Sequence, residues 1–154
     1  MSVTANFQAS EYTPPDTWTL KSSGTSTYLE GIAYGANDDM LVAVGWGGTI
    51  LTSSDGSNWT QRVSGIPNNF LGITYGNDMF VGVGNQGAIV TSINGISWTA
   101  RDSGLGNVLL GVTYGNGKFV AVGSSNIVVS SQDGTTWTYQ SSGFTGGWLK
   151  SIIY

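Results

Sequence analysis

The sequence predicts an all-β chain built from four-stranded repeats, and two independent series of residues predict it. The tyrosines Tyr34, Tyr75, Tyr114 and Tyr154 are spaced 41, 39 and 40 residues apart. The tryptophans Trp18, Trp59, Trp98 and Trp137 are spaced 41, 39 and 39. A period of about 40 residues is the length of one four-stranded propeller blade. The composition agrees: 24 of 154 residues are Gly, 12% are aromatic and only 9% are charged, which suits short strands joined by tight turns. The fold class is therefore an all-β, β-propeller chain.

The middle repeat shows each element in order. Leu71 to Gly76 reads as a first strand, turned by Asn77-Asp78. Met79 to Gly84 is a second strand, apolar on both faces, and Asn85-Gln86-Gly87 turns it into a third, Ala88 to Ser92. Asn94-Gly95 reads as a hairpin turn whose two central residues take positive φ. Ser97 to Ser103 is a more polar fourth strand carrying Arg101 and Asp102, as its counterpart carries Arg62. Three apolar strands and an amphipathic fourth give the burial gradient of a blade, because inner strands lie between neighbouring blades and the outer strand meets water.

This register divides the chain into an extended arm over residues 1–17 and propeller repeats over residues 18–154. Full blades span 29–64, 71–103 and 109–142, with a lone fourth strand at 18–23 and a lone first strand at 148–154. Three blades do not close a ring, since known rings have about 4–8. Completion through other chains, by blade edges and by exchange of the N-terminal arm, is the expected consequence.

The turns between third and fourth strands share one pattern. They place Ser or Thr ahead of Asp55-Gly56 and Trp59, Asn94-Gly95 and Trp98, and Asp133-Gly134 and Trp137. This resembles the Asp-box (BNR-like) repeat of sialidase-type and photosystem II assembly-factor-like propellers, with the acidic or amide residue one place later. The resemblance implies a structural hairpin, in which the Asp or Asn side chain caps backbone amides and the Trp packs between blades. It is also similar to propeller repeats of phage structural and tail-associated proteins.

Catalysis has few candidates. There is no His and no Cys, which removes the commonest general base and thiol chemistry. The two arginines occupy repeat-equivalent outer positions, and Glu11 and Glu30 are the only glutamates, so no sialidase-type constellation assembles. The chain is read as a non-enzyme with no catalytic, metal or cofactor site. Net charge of −4 with five Lys plus Arg argues against nucleic acid. No apolar run reaches the ~20 residues of a membrane span, and the N-terminus lacks the basic and apolar regions of a signal peptide.

A binding face is expected on the side that holds the second-to-third-strand turns and the inter-blade links. Residues there that depart from the repeat are Tyr28, Trp46, Asn69, Phe70, Gln86, Asn107 and Trp148. Low charge and a surface rich in Ser, Thr, Asn and Gly point to a bacteriophage virion structural, decoration or tail-associated protein. The alternatives are a glycan-binding propeller from a secreted or cell-surface protein, and an assembly factor for a membrane complex.

Overall fold

The computed structural model describes residues 19–37 and 39–154. The N-terminal arm, Trp18 and Asp38 lie outside the described residues. Twelve strands are found among the rest. The first sheet holds β1 (Leu29–Gly35), β2 (Met40–Gly45), β3 (Thr49–Ser53) and β4 (Thr60–Val63). The second holds β5 (Phe70–Gly76), β6 (Met79–Gly84), β7 (Ile89–Ser92) and β8 (Thr99–Arg101). The third holds β9 (Leu109–Gly115), β10 (Lys118–Gly123), β11 (Val128–Ser131) and β12 (Thr138–Gln140). Each sheet is an antiparallel meander of consecutive strands. These are three blades of a β-propeller whose ring is incomplete.

Alternation along each second strand sends residues to both neighbouring blades. Val42, Val44 and Ile50 of the first blade pack against Phe70, Phe80 and Val90 of the second. Val81, Val83 and Ile89 of the second pack against Leu109, Phe119 and Val129 of the third. The three phenylalanines are fully buried, each supplying about 1.5–3 kcal/mol by leaving water. Tyr75 on Phe80 and Tyr114 on Phe119 form matching ring pairs, both with centroids 4.7 Å apart. The innermost strands β1, β5 and β9 lie against one another. Glycines permit that approach: a Cβ on Gly76 would run into the Tyr114 ring, and one on Gly115 into the Tyr154 ring.

Three readings of the sequence need correction. Residues 19–23 form no strand; a fourth strand needs a third to pair with, and among the described residues none lies beside them. Residues 149–154 form no strand either, although Trp148 bridges Ser124 and the Leu149 N–H donates to the Gly123 carbonyl at 3.0 Å. They follow the path of an inner strand over Gly111 and Gly115, without a second strand to complete the ladder. Finally, Asn94-Gly95 is not a turn with two positive φ values, because only Gly95 (φ 68°) takes one. The Asn94 side chain caps the turn instead. Paired positive φ values occur at Asn77-Asp78, Gln86-Gly87, Asn116-Gly117, Gly47-Gly48 and Ser125-Asn126, as type I′ hairpins require.

Candidate functional site

The turns after the third strands are built alike. In the first blade, the Ser57 and Asn58 N–H groups donate to Asp55 Oδ1, each at 2.8 Å, and Ser53 Oγ donates to it at 3.0 Å. Asn94 accepts from Ile96 and Ser97 at 2.9 and 3.0 Å, and Asp133 from Thr135 and Thr136 at 2.8 Å each. Donation by the Asn58 backbone and side chain, then by Ser57 and Ser53, holds the Asp55 carboxyl far below the usual carboxylate range. Thr136 and Thr135 do the same for Asp133. The indole N–H groups of Trp98 and Trp137 donate to the Gly95 and Gly134 carbonyls at 2.9 and 3.1 Å. These side chains are engaged by their own turns, and Trp98 and Trp137 pack on the inter-blade clusters. Trp59 is different. It faces the open side of the first blade, lining a 440 Å³ groove with Leu29, Glu30, Ile32 and Gly56.

The opposite side carries the second-to-third-strand turns and the links between blades, fastened to each other through backbone. The Trp46, Asn85 and Ser124 N–H groups donate to the Tyr28, Asn69 and Val108 carbonyls at 3.0, 2.9 and 2.9 Å. Gly48 and Gly87 donate to the Asn68 and Asn107 carbonyls at 2.9 and 2.6 Å. Asn107 thus acts through its main chain. Asn69 and Gln86 share a polar 350 Å³ groove with Asn68, Asn85 and Pro67. Asn69 Oδ1 also accepts the Gly47 N–H at 2.8 Å, and Asn68 Nδ2 donates to Gln86 Oε1 at 3.2 Å.

Tyr28 and Trp46 come together, with ring centroids 4.9 Å apart and planes tilted by 53°. The Trp46 indole N–H donates to Glu30 Oε1 at 2.8 Å. Both rings are exposed. Trp148 is exposed as well, and its place ahead of Leu149 matches that of Tyr28 ahead of Leu29.

Phe70 does not belong to this face. It is fully buried between the first two blades. Its register partners are Leu29 and Leu109, each opposite the last glycine of its second strand, so it is a larger version of a repeated core residue rather than a departure from the repeat. The sequence reading also passed over Ile32 and Tyr34. They are 58% and 53% exposed, whereas Ile73 and Tyr75, at the same register, pack into the inter-blade cluster. The signal was present in the register: the first blade has no described blade in front of it.

Each arginine is braced on the third strand of its own blade. Arg62 Nε donates to Thr52 Oγ1 and Arg101 Nε to Thr91 Oγ1, both at 2.9 Å. Among the described residues, no three His, Cys, Asp or Glu side chains gather where they would hold a metal ion.

No protein-family model and no curated protein matches the chain. Solved structures do. YCF48 from Cyanidioschyzon merolae matches with a TM-score of 0.63 at 22% identity, over 75% of this chain and 37% of that one. YCF48 bound to a D1 peptide matches with 0.63 at 15% identity, over 75% and 40%. A chain of a nidogen/laminin complex matches with 0.57 at 16%, over 73% and 48%. The chain therefore spans less than half the length of each of these structures. The likeness establishes the β-propeller fold.

Proposed function

We propose that this chain is a non-enzymatic binding and assembly module, three blades of a propeller that other protein completes. The observation that carries this reading is the open face of the first blade. Ile32, Tyr34, Gly56 and Trp59 stand there where their counterparts Ile73, Tyr75, Gly95 and Trp98 in the second blade pack toward the first. A surface of that kind is an unfilled blade interface. That YCF48 is seen with a peptide and nidogen with laminin supports a protein partner. Engagement of both arginines and of the turn carboxylates by their own strands supports a role without catalysis.

The finer reading is a virion structural, decoration or tail-associated protein, supported by the 9% charged residues and the Ser, Thr, Asn and Gly-rich surface. Light scattering across a range of concentrations tests assembly. Self-association that Ile32→Glu abolishes is the expected result. A monomer at every concentration removes self-assembly and leaves a different partner protein. A glycan-binding role is favoured only by exposed Trp46 and Trp148, and a blank glycan array removes it.

A further inference from the structure

Three positions around the first link depart from the repeat, and the fold brings all three into contact. Register makes the comparison direct. Tyr28 stands where the next blades have Asn69 and Val108, and Trp46 where they have Asn85 and Ser124. Glu30 occupies the β1 bulge where Leu71 and Leu110 occupy theirs. The second and third blades fold with amide, hydroxyl and aliphatic side chains there, and Trp148 repeats an aromatic only at the Tyr28 position, so nothing in the repeat itself calls for two aromatic rings and a carboxylate together. Yet the Trp46 ring touches Tyr28, its N–H is tied to Glu30 at 2.8 Å, and it stays 43% exposed beside a 69% exposed Tyr28. The turn beneath is pinned on both sides, by Trp46 N–H on the Tyr28 carbonyl and Gly47 N–H on Asn69 Oδ1. This is a rigid aromatic platform with a fixed negative charge at its rim.

We infer that Tyr28, Trp46 and Glu30 form a docking site for an arginine side chain of a partner protein. A guanidinium lies flat on an indole face, drawn by the negative face of the ring, and donates N–H groups to a carboxylate at its edge. The indole takes one Glu30 oxygen and leaves the other as an acceptor. Arginine fits better than lysine, since only the planar group stacks and donates at once. The chain's net charge of −4 favours a cationic ligand over a neutral one. Lys21 lines the groove next to Glu30, so it competes for the carboxylate. The aromatic pair lies on the turn face, and Glu30 joins it to the edge of the open blade groove, which it also lines.

The test uses the whole chain at a dilution where light scattering shows a monomer, so that its outcome does not depend on assembly. Acetyl-Gly-Arg-Gly-amide is titrated while the Trp46 indole N–H resonance is followed by NMR, and the same peptide with citrulline, isosteric but uncharged, serves as the comparison. The arginine peptide is expected to shift that resonance saturably and to bind about tenfold more tightly than the citrulline peptide. Glu30→Gln keeps an oxygen for the indole N–H and is expected to erase the preference. Trp46→Ala, followed through the Gly47 amide resonance, is expected to abolish binding, and Lys21→Ala to raise it. Equal binding of the two peptides, or a preference that survives Glu30→Gln, overturns the proposal. So does a response to maltotriose without one to arginine, which identifies a sugar platform instead.

Discussion

At the scale of single residues, the turns after the third strands show how one geometry accepts two chemistries. Asp55, Asn94 and Asp133 all present an Oδ1 to two successive backbone N–H groups. The amide at Asn94 does this without charge. Replacing Asn94 by Ala is expected to cost about 1 kcal/mol in chemical denaturation, as for loss of a helix N-cap. The carboxylates add a pH dependence. Their folded pKa values lie below the unfolded value of about 3.9. The stability they contribute is therefore complete above that value and is lost as pH falls below it toward the folded one. Asp55→Asn with Asp133→Asn is expected to leave the neutral-pH melting temperature nearly unchanged and to flatten its fall below pH about 4. An unchanged acid limb counts against the assignment. Phe70→Ala is expected to cost about 3–5 kcal/mol, because Phe70 is core. Spacing alone did not reveal this. Phe70 adjoins the varied Asn68-Asn69 pair in sequence, and its burial follows only from the bulge that sets the β5 register.

Elements were legible to the extent that their signals were local. Eleven of the twelve strands fall inside the repeats read from the tyrosine and tryptophan series, and β5 starts one residue early at Phe70, since alternation and turn residues are properties of short segments. The unpaired terminal strands were not legible, because a strand is defined by its neighbour. Glycine contacts offer a test of that distinction. Gly76→Ala and Gly115→Ala both push a methyl group into a tyrosine ring. In the first case Tyr114 belongs to a hydrogen-bonded strand packed on Phe119 and cannot move away. In the second, Tyr154 lies on a segment with no strand partner. Gly76→Ala is expected to destabilise the fold by about 1–3 kcal/mol. Gly115→Ala is expected to release the C-terminal segment with little effect on global stability, seen as faster amide exchange in residues 149–154. Gln86 holds a positive φ of 57° at an exposed turn. Gln86→Gly removes that strain, and a gain of about 0.5–1 kcal/mol is expected in urea titration.

For the whole molecule, the two outer faces are not copies of the internal interfaces. Met40 and Met79 lie under the Gly95 and Gly134 turns of the following blade, but the third blade has Lys118 at that register. Ser130 and Gln140 likewise replace the Thr–Arg pairs of the earlier blades. Residues 149–154 also lie over its inner strand. Head-to-tail stacking of identical copies buries an ammonium group against a glycine turn, so self-association through the Ile32 face is weaker than an internal blade interface. The fold class was readable because every blade repeats its core. What occupies the open faces was not, since it depends on a surface outside the described residues. Lys118→Met is expected to increase self-association measurably in sedimentation, and no change would show that Lys118 does not limit stacking.

The main-chain bonds from Gly48 and Gly87 to the carbonyls of Asn68 and Asn107 also bear on how the molecule comes apart. Each ties a turn of one blade to the segment that opens the next, so neither blade can leave while that bond holds. The unit that opens cooperatively is then the junction, and blade boundaries are not fracture lines. Limited proteolysis should accordingly release fragments cut through the exposed outer strands, in preference to intact single blades.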